Sequence, residues 1–130
     1  MKKYILILCL ILIACSKSTK SPARKIPVVS CSVTPTRLDF PYPTNDSSFM
    51  IKNTGETILY GSLTVRDEIP QGWRYFYIES PVSYSLNPND SIVVLITYYN
   101  LWNSQTINYR EEGIVETGHP ACQDVYCTGR

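Results

Sequence analysis

Leu86-Asn87-Pro88-Asn89-Asp90-Ser91-Ile92-Val93-Val94-Leu95-Ile96-Thr97-Tyr98-Tyr99 sets turn chemistry directly against a run of aliphatic and aromatic residues. Pro88 supplies the preset φ of a turn's second position. The run from Ser91 to Tyr99 has the composition of a strand, with Val94, Ile96 and Tyr98 on one face and Val93, Leu95 and Thr97 on the other. Apolar on both faces, this strand is expected to be central and largely buried.

Upstream, Ser48 to Asn53 alternates, placing Phe49 and Ile51 on one face, and Asn53-Thr54-Gly55-Glu56 ends it as a turn. Thr57 to Val65 then sets Leu59, Leu63 and Val65 on one face around Gly61, so the two segments are expected to form a hairpin. Trp73 to Ile78 is a compact aromatic strand and Val82 to Leu86 a shorter one. Downstream, Thr106 to Thr117 is a long strand whose middle, Arg110, Glu111 and Glu112, is too charged for uniform burial. A bulge or an exposed edge is expected there. Gly118, His119 and Pro120 turn the chain into a last strand from Ala121 to Cys127. Short strands separated by turn signals roughly every eight to twelve residues are the pattern of an all-β sandwich of about seven strands, and no stretch holds a helical period.

The first thirty residues follow a different rule. Lys2 and Lys3 precede an uncharged apolar run from Tyr4 to Ile13, then the small Ala14, then Cys15. That is the three-part layout of a secretion signal. The run is about half of the ~20 residues that span a bilayer as a helix, so cleavage is expected rather than a permanent span. Leu12-Ile13-Ala14-Cys15 resembles the lipobox of bacterial lipoprotein precursors. The resemblance implies diacylglyceryl modification of the Cys15 thiol, palmitate among the acyl chains, and a new N-terminus there. Two or more chains, at ~0.8 kcal/mol per buried CH₂, anchor stably where one does not. Ser16 stands where an Asp would resemble an inner-membrane retention signal, so outer-membrane sorting is favoured in a Gram-negative host. The expected organisation is a signal peptide over 1–14, an acylated cysteine and flexible tether over 15–27, and one sandwich over 28–130.

Charge divides along the same boundary. Six of the twelve Lys/Arg lie before Val28 and all eleven Asp/Glu lie after it, so the domain carries six cations against eleven acids, a net of −5. The basic tether suits an anionic membrane surface. The acidic domain has no Lys/Arg stripe of the kind that phosphate contacts require, which argues against nucleic acid. Of five cysteines, Cys9 leaves with the signal and Cys15 takes lipid, leaving Cys31, Cys122 and Cys127. An oxidising compartment favours one disulfide among these three, and spacing does not fix which.

Four collinear stretches resemble the immunoglobulin-like ASH domains (abnormal-spindle and hydin type) found in bacterial choice-of-anchor proteins of the D type. Cys31 to Phe40, CSVTPTRLDF, is similar to the family's opening strand, kinked at Pro35. Phe49 to Gly55, FMIKNTG, with Leu59 to Gly61, LYG, is similar to its most distinctive hairpin. Leu86 to Tyr98 and Cys122 to Gly129 are similar to the turn-strand unit and the closing strand. Pro41 stands where the family has Gly, and Asn100 where it has Pro. Two cysteines common in bacterial relatives, near Asp67 and at Gly113, are both missing. The resemblance thereby implies that those two pair in relatives and that Cys31 bonds to Cys122 here, with Cys127 as the alternative partner, because the family's opening strand runs parallel to its last. It implies no shared enzymatic activity.

Catalysis finds little to build on. His119 is the only histidine, it sits before Pro120, and no nucleophile elbow or phosphate loop accompanies it. Glu111 and Glu112 are adjacent, so on a strand they point to opposite faces. A zinc set of His119, Cys31, Cys122 and Cys127 matches no common module spacing. No cofactor and no metal is expected. Aromatic content is the better functional sign. Trp73, Tyr75, Phe76 and Tyr77 form one run, and Tyr98, Tyr99 and Trp102 another. Alternation turns some of these rings outward, so Tyr75, Tyr77, Tyr99 and Trp102 are candidates for a binding patch for protein or glycan. Pairing of a partner chain on the edge strand Thr106 to Thr117 is a weaker candidate because charge protects such edges. The functional expectation is a noncatalytic, membrane-anchored recognition or structural module of the cell envelope. The alternatives are an accessory subunit of a larger envelope or secretion assembly and, further off, a small hydrolase or metal-binding protein.

Overall fold

The computed structural model describes residues 23–41, 43–67, 75–99 and 110–129. Cys15, the apolar run before it, Trp73 and Trp102 lie outside the described residues. Among the described residues ten strands run in chain order: β1 (Cys31–Thr34), β2 (Arg37–Phe40), β3 (Asp46–Asn53), β4 (Leu59–Ser62), β5 (Thr64–Asp67), β6 (Phe76–Ser80), β7 (Ser83–Leu86), β8 (Ser91–Tyr98), β9 (Glu111–Glu116) and β10 (Val125–Gly129). They form two four-stranded sheets, β1-β3-β8-β6 and β2-β10-β9-β5, with a β4-β7 pair beside them. The chain is an immunoglobulin-like sandwich: the turn spacing predicts the sandwich, and the family resemblance implies its immunoglobulin-like type.

Ten strands become seven when those that change partner are joined. The opening strand leaves one sheet as β1 and enters the other as β2 across Pro35, which cannot donate to a ladder. β4 runs into β5 across Leu63, exchanging β7 for β9, and β6 runs into β7 across Pro81, exchanging β8 for β4. β2 pairs parallel with β10, Leu38 opposite Cys127, while the other pairings are antiparallel. The inner faces meet in one core of Val33, Phe49, Ile51, Val94 and Ile96 from the first sheet against Leu38, Phe40, Val115 and Val125 from the second. Phe40, Phe76 and Tyr98 close it as a ring cluster, with centroids 5.2 to 5.7 Å apart.

Three expectations change. The segment after β3 is not a hairpin partner: β3 is already flanked by β1 and β8, so the turn at 54–57 carries the chain across to β7 instead. β8 is central, as expected, but only one of its faces is buried, because no layer among the described residues covers the face of Val93 and Leu95. β9 is not an edge. It lies between β10 and β5, and its charges are accommodated by side: Glu112 is outward and salt-bridged by Arg110 at 3.2 Å, whereas Glu111 is inward, held by the Tyr98 phenol. Its ladder is occupied on both sides, so it offers no place for a partner strand. The bulge falls in β6, between Ile78 and Ser80.

Strand direction defines two poles. β3 starts at Asp46 beside the end of β8 and finishes at Asn53 beside Cys31. One pole therefore holds residues 28–31, 54–58 and 87–90, and the other holds 41–45, Tyr99 and Arg110. At the first pole Asn87 to Asp90 is a hydrogen-bonded turn, Asp90 N–H to Asn87 O at 3.0 Å, with Asn89 at φ 71°. Gly118, φ 72°, turns the chain beside Ser62, whose carbonyl oxygen stands 2.2 Å from where a Cβ would be.

Candidate functional site

Alternation along β3, β6 and β8 dictates which side chains leave the first sheet outward. Register places Met50 beside Val93, Ser48 beside Leu95 and Asp46 beside Thr97, and Tyr77 pairs with Thr97 from the other side. The outward apolar residues are Met50 (38% exposed), Val93 (59%), Leu95 (41%), Tyr77 (41%) and Tyr99 (50%). Tyr77 and Tyr99 meet edge to face, centroids 5.2 Å apart and planes at 90°. Thr97 Oγ1 donates to Asp46 Oδ1 at 2.7 Å beneath them.

The outer face of the second sheet is built on the opposite plan. One row reads Arg37, Tyr126, Ile114 and Arg66 across β2, β10, β9 and β5. Arg37 pairs with Asp39 (3.7 Å), Arg66 with Glu116 (3.4 Å), and Arg110 with Glu112 (3.2 Å). A shallow groove of about 250 Å³ runs along this row. Its cations already have partners on the same chain, so the face is zwitterionic and solvated.

Trp102 lies outside the described residues; the described residues singled out in the sequence each have a definite place. Tyr77 and Tyr99 form the outward aromatic pair. Tyr75 does not join them: it precedes β6, is half-buried against the core, and its phenol shares the Glu111 carboxylate with Tyr98. Burial raises the Glu111 carboxyl above its ordinary value, partly offset by those two phenols, and burial together with Glu111 raises Tyr98. A disulfide joins Cys31 to Cys122, Cα atoms 5.0 Å apart, the pairing the family resemblance implies. Tyr84 lies against it, its hydroxyl 3.7 Å from Cys122 Sγ and donating to Thr117 O at 3.0 Å. Cys127 is buried on β10, outside the disulfide. Two of the four residues of the imagined zinc set are thus bonded to each other. His119 Nδ1 accepts the Ala121 N–H at 3.1 Å, and its ring stands edge-on to Tyr60.

Sequence reasoning missed Met50, Val93 and Leu95 as surface residues. Alternation over Ser48 to Asn53 already sets Met50 opposite Phe49 and Ile51, but nothing local marks Val93 and Leu95, since an uninterrupted apolar run is equally the pattern of a strand buried on both faces. It also missed how the N-terminal segment is seated. Lys25 forms an ion pair with Glu56, Glu56 N–H donates to Val28 O at 2.8 Å, and Thr54 N–H donates to Ser30 O at 3.1 Å. A Cβ on Gly55 would stand 2.6 Å from both Val28 O and Ser30 N, so only glycine lets the segment lie down here. The chain therefore reaches the sandwich at the pole opposite Tyr99.

No family model and no curated protein matches this sequence. Solved structures do. The periplasmic chaperone SfaE superposes with a TM-score of 0.59 at 12% identity, over 78% of this chain and 57% of the chaperone. The ASH/PapD-like domain 7 of human CEP192 gives 0.59 at 17% identity, over 85% of this chain and 90% of that domain. A chain of the CsuC–CsuE chaperone–tip adhesion subunit pre-assembly complex of Acinetobacter baumannii gives 0.52 at 10% identity, over 77% and 56%. The chain spans little more than half the length of these chaperone chains. At such identities the likeness is one of fold, and it agrees with the strand order: this is the immunoglobulin-like sandwich that the ASH/PapD-like domain and the chaperones share.

Proposed function

We infer that this protein is a noncatalytic recognition or structural module of a bacterial cell envelope, tethered by lipid on Cys15, that binds protein through the outer face of the β1-β3-β8-β6 sheet. The observation that carries the reading is the asymmetry of the sandwich. On one outer face ion pairs of Arg37, Arg66 and Arg110 flank Tyr126 and Ile114; the other leaves Met50, Val93, Leu95, Tyr77 and Tyr99 in a contiguous band. Contiguous exposed apolar surface marks a contact site. Aliphatic side chains dominate the band, and its two tyrosines meet edge to face rather than as a flat platform, which favours protein over glycan. Seating of residues 25–30 at the opposite pole from Tyr99 supports a domain that stands away from its anchor.

Two measurements test the reading. Cells fed labelled palmitate incorporate label into the whole chain, and Cys15→Ser abolishes it; an unlabelled parent protein removes the anchor. Val93→Arg lowers photocross-linking of this face to its neighbour in the native envelope by roughly tenfold, the effect of ~1.4 kcal/mol. An unchanged yield removes the docking face. The alternative, an accessory subunit of a larger envelope assembly, draws support from the similar chain solved in a chaperone–subunit pre-assembly complex. A stable stoichiometric partner that co-purifies through detergent distinguishes it.

A further inference from the structure

The apolar face has a polarity along its strands. Taken from the N-terminal pole to the far pole, its central rows are Lys52 beside Ser91, Met50 beside Val93, Ser48 beside Leu95, and Asp46 beside Thr97. A cation ends the face at one pole, a carboxylate ends it at the other, and apolar side chains occupy both middle rows. Rotating a second copy by a half turn, about an axis in the face and across the strands between the middle rows, superimposes this pattern on its own complement. Lys52 then lies over Asp46 of the second copy, and Val93 over Leu95 of the second copy, each twice. A half turn about an axis along the strands sets Lys52 over Ser91 and Asp46 over Thr97, with no ion pair at either end. A two-fold interface has to be self-complementary, and the first arrangement is.

We propose that the occupant of this face is a second copy of the chain, packed face to face with its strands antiparallel. The inference rests on the reading of this sheet as a docking surface and names what docks there. β3 and β8 run eight residues and β1 and β6 four and five, so at ~3.3 Å per residue and ~4.8 Å between strands the face is up to ~26 Å tall and covers roughly 400 Å². Two copies therefore bury on the order of 800 Å², the size of a weak, transient contact. The dimer is weak in free solution and is strengthened by confinement to one surface, which raises the effective concentration. Residues 15–24, ahead of the seated segment, can reach about 33 Å when fully extended, more than the ~26 Å height of the face, so an inverted copy stays on the same membrane.

The test uses the whole chain in its membrane. Lys52→Cys and Asp46→Cys are placed in separate copies and co-expressed. Within one chain these positions are six residues apart along β3, about 20 Å, beyond the ~7 Å Cα limit of a disulfide. A bond between them therefore reports two copies in contact. The mixed pair is expected to give a covalent dimer several-fold above either variant alone, and Leu95→Arg to reduce that yield roughly tenfold. Ser48→Arg, in the same row, replaces Leu95→Arg if the latter unfolds. Equal yields from the single variants, or no covalent dimer, overturn the proposal. If no dimer forms but Leu95→Arg still releases a different envelope protein from this face, the second copy falls and the docking surface stands. If it changes neither, both fall.

Discussion

Asn53 is buried at the end of β3 with each polar atom of its side chain engaged. Nδ2 donates to Thr57 O at 2.7 Å and to Leu86 O at 3.0 Å, and Oδ1 accepts the Gly55 N–H at 2.9 Å. Its backbone is held in turn, N–H to Asp90 O and carbonyl from the Asn89 N–H. One residue thereby ties the 54–57 crossing to the 87–90 turn. Asn53→Ala strands two carbonyls and one N–H in a site with little water, so it should cost about 3 kcal/mol. A urea midpoint that moves by less than ~1 kcal/mol equivalent would show that water takes the place of the amide. Turn propensity marks Asn53-Thr54-Gly55 in the sequence, but the bond to Leu86 joins residues 33 apart and leaves no local trace. Glu111 makes the second residue-scale prediction. Burial raises its folded pKa above the unfolded value, so in the interval between the two the folded state binds more protons. Stability then falls as pH rises out of the ordinary carboxylate range through the raised value. Glu111→Gln keeps an acceptor for Tyr98 and Tyr75 without the charge, and urea midpoints measured across that range should flatten relative to the parent. An identical slope in both proteins means that Glu111 contributes nothing to it.

β8 shows what an element's sequence conveys and what its surroundings add. Existence, limits and central position follow from composition, and Ser91–Tyr98 is the observed strand. Which face is buried does not follow, because Val93 and Leu95 are as apolar as Val94 and Ile96. The second sheet covers one side only, and the difference is energetic: Ile96→Ala opens a cavity in a closed core, expected at ~3 kcal/mol, whereas Leu95→Ala should cost under ~1 kcal/mol. Equal losses in thermal unfolding of the monomeric domain would mean that a further layer covers Leu95 within the chain. The same reasoning accounts for β9, where adjacent charges suggested an edge. Alternation sends Glu112 to solvent and Glu111 inward to a phenol, so a strand with two charged residues at its start still takes an inner position. The hairpin after β3 failed for a related reason: local turn chemistry is real at 54–57, but strand pairing is decided by which edges remain open, and β3 has none.

At the scale of the molecule, a sandwich of about seven strands was legible from turn spacing, with the strand that bends at Pro81 read as two, Trp73 to Ile78 and Val82 to Leu86, while of the three changes of partner, at Pro35, Leu63 and Pro81, only the one at Pro35 was legible, through the family resemblance. The prolines lack the ladder donor, but Leu63 is an ordinary core residue, and its change of partner is set by where β7 starts, at Ser83, and β9 ends, at Glu116. These changes make the sandwich depend on closures between distant parts of the chain. The strongest is the Cys31–Cys122 bond, spanning 91 residues and joining the opening strand to the turn before the closing strand. It acts at the same pole where residues 25–30 seat on the 54–56 turn, so the bond also fixes the base from which the N-terminal segment leaves. A loop of that length carries a chain-entropy term of about 4 to 5 kcal/mol, an upper figure because denatured chains keep some structure. Replacing both cysteines by serine should therefore cost roughly 2 to 5 kcal/mol, and thiol reductant should bring the parent to the same urea midpoint. Cys127→Ala should cost only what a small buried side chain costs, on the order of 1 kcal/mol, and leave the response to reductant intact. If Cys127→Ala abolished that response, the closure would run through β10 itself, and the Cys122 turn, with Tyr84 against it, would be held by hydrogen bonds alone.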